Sequence, residues 1–161
     1  MSIRTLEELS DLLARELAWR KKELAVMKGF IENRKFQADQ HRVLIRSGVT
    51  MLYAHWEGFI KVAASGYLEF VRDDVYDMKS FPATSIFQEI LCVIGLSYSD
   101  YESKRVLIDE KLLAQRNAIA HGEYLIIDRD EYVELHSQVI EMMNLFCNQI
   151  ENHAVTRKYR R

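Results

Sequence analysis

Two long apolar repeats uninterrupted by proline constrain this chain more than any other feature. The first runs from about Thr5 to Phe36 and the second from about Asp39 to Val71, with apolar residues recurring at three- and four-residue spacing. Thr5 and Glu8 form a capping-box pair at the start of the first repeat. The pattern predicts two helices of roughly 50 Å each, a length that favours an elongated hairpin.

Each repeat also predicts which of its side chains are buried. The second repeat has the broader apolar face, which is typical of a helix in the middle of a bundle. The predicted core positions are Leu6, Leu9, Leu12, Leu13, Leu17, Leu24 and Met27 in the first repeat, and Val43, Leu44, Met51, Leu52, Trp56, Ile60, Ala63, Ala64 and Tyr67 in the second.

Polar breaks separate the shorter helices that follow. "RDDVYDMKSFPATS" contains the only proline and "SYSDYESK" is a second break, with the apolar helix "SIFQEILCVIGL" between them. A further helix is predicted from near Ser103 to Gly122, since glycine suits the left-handed position after a helix. Asp128 is expected to cap a final helix from about Arg129 to Ala154.

Length and composition fit a single soluble domain. Apolar residues make up 48% and charged residues 29% of the 161 residues, which is the balance of a globular protein with a core. We therefore expect one all-α domain of four to five helices over residues 1–156, followed by a basic tail over residues 157–161. Residues 1–12 lack the apolar run of a signal peptide, and no stretch approaches the roughly 20 apolar residues that cross a bilayer. Cys92 and Cys147 are predicted to be reduced core thiols, which suits a cytoplasmic protein.

The net charge of −2 argues by itself against a general nucleic-acid binder, but the charge is unevenly distributed. Residues 1–46 carry ten Lys and Arg against seven Asp and Glu, whereas residues 116–156 carry two against seven. The tail "RKYRR" is compatible with either a solvated terminus or an arm that contacts phosphate. The basic cluster Arg20, Lys21 and Lys22 is expected to be a solvated helix face.

The stretch "RNAIAHGEY", residues 116–124, places three polar side chains near a helix end. Asn117 and His121 are four residues apart, so they lie about 40° apart around the axis and about 6 Å apart along it. Arg116 reaches the same volume, and its planar guanidinium matches two phosphate oxygens. Histidine transfers protons near neutral pH. These residues could hold and cleave a phosphodiester; the alternative is a structural network at a helix end.

This spacing from Arg116 to His121 resembles the signature of the HEPN superfamily (higher eukaryotes and prokaryotes nucleotide-binding). The signature is an arginine, usually followed by a polar residue, with a histidine four to six residues from the arginine. Its position here, near the end of a penultimate helix, also matches. A second stretch, "LYAHWEGFIK" at residues 52–61, is similar to the second-helix signature of a bacterial HEPN branch with nuclease-like and toxin-like members.

The resemblance implies a HEPN-like bundle that cleaves RNA as a homodimer without metal or cofactor. Each protomer would contribute Arg116, Asn117 and His121 to one cleft at the dimer seam. The ribose 2′-OH would attack its own 3′-phosphate, with His121 moving a proton, Arg116 stabilising negative charge and Asn117 orienting either of them. The resemblance also implies a toxin or anti-phage effector, with an antitoxin or other regulatory protein as partner.

Three further residues are candidates for orienting the site or binding substrate: Glu57, Glu123 and Tyr124. Glu57 is flanked by apolar residues, where a carboxylate is costly unless paired, and pairing with Arg116 would orient the guanidinium. In some HEPN toxins a tyrosine two residues after the histidine is adenylylated. Glu123 holds that position here and Tyr124 follows it, so the chain departs from that pattern. His55 is expected to be a hydrogen-bonded structural residue.

Two function classes remain after the other motifs are considered. The chain has no histidine or cysteine cluster at metal-ligand spacing, no glycine-rich phosphate loop and no Gly-x-Ser-x-Gly elbow. The first class is a metal-independent endoribonuclease, and the second is a non-catalytic HEPN-like module for dimerisation or for nucleotide or RNA binding. The pair Arg116 and His121 favours the first class, whereas the acidic net charge favours the second.

Overall fold

The computed structural model describes residues 3–72, 87–104, 111–124 and 126–159. These ranges contain a 3₁₀ helix at Ser99–Lys104, a π-helical turn at residues 111–113 and no β-strand, so the predicted all-α bundle is confirmed. No helix in these ranges is long and apolar enough to cross a membrane. The α-helices are α1 (Leu6–Glu32), α2 (Ala38–Val71), α3 (Phe87–Ile94), α4 (Ala114–Ala120) and α5 (Arg129–Val155).

Side-chain caps fix the starts of two long helices as predicted. The Thr5 hydroxyl accepts a hydrogen bond from the Glu8 amide at 3.2 Å, and the Glu8 carboxylate accepts one from the Thr5 amide at 3.0 Å. The Asp128 carboxylate likewise accepts from the Glu131 amide at 2.7 Å. Each bond satisfies a backbone N–H that the helix itself leaves unpaired, so α1 and α5 begin where the sequence predicts.

Helix α2 lies in the middle of the bundle, where it contacts α1, α3, α4 and α5. The broad apolar face predicted for it is largely confirmed, because most of its members are buried. A Cβ atom at Gly48 would lie 2.7 Å from the Tyr132 ring of α5, so glycine permits a close approach of these two helices there. The α2 residues buried as predicted are Leu52, Trp56, Ile60, Ala63, Ala64 and Tyr67.

Three predicted core positions are instead at the surface. Leu6 is the first residue of α1 and is 38% exposed, and Val43 is 63% exposed on the part of α2 that the short α4 leaves uncovered. Cys92 is exposed because α3 turns its other side toward the core. Cys147 is buried as predicted, and burial raises the pKa of its thiol to about 11.

The prediction of a solvated basic face on α1 is wrong for Arg20. This side chain is 5% exposed, and its guanidinium carbon lies 4.3 Å from the centroid of the Trp19 ring and 5.9 Å from that of Phe59. Its charge is balanced by Glu16, which lies one turn earlier and forms an ion pair with it. An arginine with such partners buries its stem and plane against aromatic rings, whereas Lys22 remains exposed.

Parts of four predicted segments lie outside the described residues: the first break, the start of the apolar helix after it, the helix expected near residue 103 and the basic tail. The first break is described only at Arg72, and the helix expected to begin near residue 103 is described as the 3₁₀ helix and then from Lys111 onward. In the basic tail, the Tyr159 ring packs against Tyr67 and Phe70, with ring centroids 6.4 and 5.9 Å away. The described start of the tail therefore lies against α2.

Candidate active site

The three motif residues lie at the end of α4, within about one and a half turns that include its C-cap. Arg116 and Asn117 are half-buried and in contact, because Arg116 Nη1 donates a hydrogen bond to Asn117 Oδ1 at 2.9 Å. His121 follows as the C-terminal cap, and its backbone N–H donates to the Asn117 carbonyl at 2.9 Å. The amide side chain thus orients the guanidinium, and the same residue's backbone anchors the histidine.

The helix ends abruptly after His121 because Gly122 adopts the left-handed conformation with φ +75°. The Gly122 amide donates to the Ile119 carbonyl at 3.1 Å, and the Glu123 amide donates to the Ala118 carbonyl at 2.9 Å. This pair of bonds is a Schellman motif, which satisfies the last carbonyls of the helix. The predicted glycine stop is confirmed, and it fixes the direction in which the chain leaves the site.

The guanidinium of Arg116 is also held by an aromatic ring of α2. Its carbon lies 4.9 Å from the centroid of the Tyr53 ring, which is a cation–π contact. Of its five N–H donors, only the one on Nη1 has an acceptor among the described residues. The remaining donors are available to the oxygens of a phosphate group.

Tyr53 packs against Arg116 of α4 and lies one turn before Glu57 on α2. Burial raises the pKa of Tyr53, and the negative charge of Glu57 and a hydrogen bond with it raise this pKa further, whereas the charge of Arg116 lowers it. Glu57 Oε1 accepts from Lys61 Nζ at 2.8 Å. The expected ion pair between Glu57 and Arg116 is therefore not formed, and Glu57 reaches Arg116 only through Tyr53.

The His121 side chain is exposed and has no hydrogen-bond partner within the described ranges. Both ring nitrogens are therefore open to a bound molecule, which is what proton transfer to or from a substrate requires. No three His, Cys, Asp or Glu side chains of the described residues are grouped so that they could hold a metal ion.

Two arginines of α2 hold the segment that follows the motif. Arg46 Nη1 donates to the Glu123 carbonyl and Arg42 Nη1 donates to the Tyr124 hydroxyl, each at 2.8 Å. The hydrogen bond with Tyr124 raises the pKa of Arg42, which also forms an ion pair with Asp39. The candidates Glu123 and Tyr124 are thus exposed at the end of the site and attached to α2.

An open hollow of about 490 Å³ lies between α2 and α4, beside the motif. Its wall is mainly apolar, with two hydroxyl groups and one guanidinium and without any carboxylate. The lining residues are Val43, Arg46, Ser47, Thr50, Met51, Ala54 and Ile119.

The second sequence stretch places its histidine against α1. His55 Nε2 lies 3.1 Å from a Glu23 carboxylate oxygen, and the His55 ring meets the Trp19 ring edge-on at 5.1 Å between centroids. Burial lowers the pKa of His55. Trp56 is 3% exposed in the core. The expectation that His55 is a hydrogen-bonded structural residue is confirmed.

Two family models match consecutive parts of the chain, and each match contains one of these two stretches. A HEPN-like family model matches residues 9–84, and the RiboL-PSP-HEPN model matches residues 72–152, which is 81 of the 161 residues. The chain belongs to the HEPN superfamily. Searches of curated proteins and of solved structures gave no significant match.

Three residues near the motif of this HEPN chain were missed by sequence reasoning: Arg42, Arg46 and Tyr53. The two arginines are four residues apart, so they share a side of α2, but their partners lie 82 and 77 residues away in the chain. Tyr53 stands two residues before His55, which turns it to the other side of the helix. The sequence could have predicted that these three residues share a polar side of α2, whereas their contacts are visible only in the tertiary structure.

Proposed function

We propose that this HEPN chain is a metal-independent endoribonuclease. The observation that carries the proposal is the arrangement at the end of α4. Arg116 is oriented by Asn117 and Tyr53 with most of its donors open, and His121 stands exposed at the end of the same helix. A cation that could bind phosphate and an open imidazole, both at the end of one helix, would supply what is needed for phosphodiester cleavage that uses the substrate's own nucleophile.

In the proposed reaction the ribose 2′-oxygen attacks the adjacent 3′-phosphorus. The bond from phosphorus to the 5′-oxygen breaks, which leaves a 2′,3′-cyclic phosphate and a 5′-OH. One His121 of a homodimer removes the 2′-OH proton and the other protonates the departing 5′-oxygen; such acid–base help contributes about 10² to 10⁴ in rate. Arg116 stabilises the charge that develops on the phosphoryl oxygens.

The homodimer is part of the proposal because one protomer supplies only one set of motif residues. Two exposed apolar side chains beside the motif support a covered seam there: Tyr124 is 72% exposed and Ile126 is 75% exposed. A two-fold contact at this end would bring two copies of His121 to one cleft, since such a contact uses the same patch on both subunits. The role of a toxin or anti-phage effector, with an antitoxin or regulator as partner, is proposed from the HEPN type alone.

The alternative is a non-catalytic HEPN-like module for dimerisation or for nucleotide or RNA binding, which the acidic net charge of −2 favours. A cleavage assay in EDTA on end-labelled bulk RNA and tRNA separates the two, with Arg116→Ala as the test variant and Arg15→Ala as its control. Arg15 is a largely exposed arginine of α1, with 66% of its side-chain surface accessible.

We expect cyclic-phosphate ends from the wild type and from Arg15→Ala, and a rate about 10² to 10³ lower for Arg116→Ala, the range seen when one donor to a developing oxyanion is removed. RNA binding without cleavage by a folded protein would favour the non-catalytic module. Equal cleavage by wild type and Arg116→Ala would place the activity elsewhere and overturn the site assignment.

A further inference from the structure

We propose that the hollow between α2 and α4 binds an unpaired nucleotide of the RNA, next to the phosphate that is cleaved. This inference rests on the proposed function and specifies its substrate as single-stranded RNA. Like the motif, the hollow is open to solvent in the protomer, and one of its walls, Ile119, belongs to the motif turn itself.

The position of the hollow relative to the motif follows from the packing of α4 on α2. Ile119 lies three residues after Arg116 on α4, and Ala54 follows Tyr53, the residue against which the Arg116 guanidinium packs. Because residues three apart on a helix share a side, the hollow and the Arg116 guanidinium are neighbours on one surface. A base in the hollow therefore belongs to a nucleotide adjoining the phosphate at Arg116.

The chemistry of the wall suits a nucleobase. Val43, Met51 and Ile119 offer an apolar surface to the face of the base, which is sequence-tolerant because every base has such a face. The hydroxyls of Ser47 and Thr50 are available to the polar edge. The Thr50 hydroxyl donates its proton to the Arg46 carbonyl at 3.1 Å, so its oxygen remains an acceptor.

Two arginines lie near the hollow, and each could hold a phosphate of a nucleic-acid backbone. Arg46 is at one side, and within the described ranges only its Nη1 has an acceptor. The Arg116 guanidinium packs against Tyr53, which is seven residues after Arg46 on α2. These two positions of α2 are about 10 Å apart along the helix. A strand lying along α2 would thus place one phosphate at Arg116 and another at Arg46, with the intervening base in the hollow.

A second copy of the chain fits the hollow less well than RNA does. A two-fold contact centred there would bury the Arg46 guanidinium against a wall without any carboxylate, whereas a phosphate supplies acceptors for its remaining donors. A double-stranded RNA also fits poorly, because its bases are stacked and paired. Recognition through an inserted base requires single-stranded RNA.

Binding must be measured apart from cleavage, so the probe is a short fluorescent single-stranded RNA with 2′-O-methyl groups, which cannot undergo 2′-OH attack. Its dissociation constant is measured by anisotropy with the full chain. Ala54→Trp fills the hollow from an exposed helix position, and Ala18→Trp on the exposed side of α1 is the matched control. Arg46→Ala is compared with Arg15→Ala.

We expect Ala54→Trp to raise the Kd about tenfold, because its side chain displaces the base from the apolar wall. Arg46→Ala should reduce the slope of log Kd against log salt by about 1, as for one phosphate contact. Both control variants should match the wild type, and duplex RNA of the same length should bind the wild type more weakly. Ala54→Glu, compared with Ala18→Glu, replaces the tryptophan variant if that variant does not fold.

Three outcomes overturn the inference: an unchanged Kd in the folded Ala54 variants, loss of the dimer mass in Ala54→Trp by light scattering, or equal binding of duplex RNA. An unchanged Kd would mean that no base occupies the hollow. Loss of the dimer mass would mean that a second copy of the chain covers it. If the Ala54 and Arg46 variants cleave unmodified RNA as fast as the wild type, the proposed endoribonuclease activity stands and the proposed nucleotide site in the hollow is wrong. If RNA binds through the hollow but no RNA is cleaved, the nucleotide site stands and the proposed endoribonuclease activity is wrong.

Discussion

The two stretches that mark this chain as HEPN each carry a histidine, and the two histidines have opposite surroundings. His55 is 8% exposed, lies against Trp19 and reaches a Glu23 carboxylate at 3.1 Å. His121 is exposed at the end of α4, and its side chain has no partner in the part of the chain that the structure describes. The first histidine is committed to the packing of α1 on α2, whereas the second is open to a substrate.

This difference fits the proposed function, in which His121 reacts with the substrate and His55 stabilises the bundle. Buried polar groups need partners inside the protein, because leaving them unpaired is costly. A residue that must exchange protons with a substrate cannot be satisfied in that way. Arg20 and Arg116 differ in exposure and in charge pairing: Arg20 is ion-paired with Glu16 and 5% exposed, whereas Arg116 is half-buried and donates to the neutral amide of Asn117.

The largest expected effect tests this comparison directly with His121→Ala and His55→Ala. His121→Ala should lower the cleavage rate by about 10² or more, since a proton-transfer group is lost, and should leave the melting temperature unchanged. His55→Ala should cost about 1 to 2 kcal/mol of stability, through lost packing and hydrogen bonding, and retain most of the cleavage rate. Rates in EDTA and thermal denaturation are measured on both variants.

The comparison would break if His55→Ala lost cleavage at an unchanged melting temperature. It would break equally if His121→Ala unfolded, because the motif would then be a structural network at a helix end.

The fold was predictable from local chemistry at several points. The capping box of Thr5 and Glu8, the cap of Asp128 and the glycine stop at Gly122 depend on neighbours within a few residues, and all three are confirmed. Arg20 was placed wrongly because a periodicity argument treats arginine as polar. Its burial depends on Phe59, from a different helix.

The candidate site was predictable only in part, for a similar reason. Arg116, Asn117 and His121 fall within about one and a half helical turns, so their common placement at the end of one helix followed from spacing alone. Glu57 was expected to meet Arg116, but the guanidinium lies one turn earlier along α2, against Tyr53. Such a choice between residues four apart is made by how two helices pack, which a single sequence does not display.

An intermediate effect on the cleavage rate is expected at Tyr53. This residue belongs to the same sequence stretch as His55, but its ring contacts Arg116 of the candidate active site. Tyr53→Leu removes the ring under Arg116 and should lower kcat about tenfold with little change in KM, since cation–π contacts contribute about 0.5 to 2 kcal/mol. Tyr53→Phe keeps the ring and removes only the hydroxyl group, so it should stay close to the wild type. Steady-state cleavage kinetics and melting temperatures are compared for both variants.

Equal losses in the two Tyr53 variants would show that the hydroxyl, not the ring, positions Arg116. If a lower melting temperature accounts for the lost activity of Tyr53→Leu, then Tyr53, like His55, stabilises the fold and does not position Arg116.

The smallest expected effect is a pH dependence of stability that arises from the buried region. Burial lowers the pKa of His55, His136 and His153 in the folded protein. The unfolded chain therefore binds more protons, so stability that is present above the ordinary histidine pKa is lost as the pH falls through the lowered values. We expect the melting temperature to decrease between neutral pH and about pH 5, a range below the unperturbed histidine pKa of about 6.5.

His136 gives the sharpest test of that decrease, because its Nε2 is buried without a hydrogen-bond partner in the described part of the chain. Protonation would place an unsatisfied N–H and a charge there, near Lys28, which itself lowers the pKa of His136. His136→Phe should therefore flatten the pH dependence of the melting temperature. Tyr132→Phe, a buried neighbour whose pKa is raised by burial, should keep the wild-type slope. Identical slopes in His136→Phe and the wild type would mean that His136 does not contribute to the acid sensitivity of the fold.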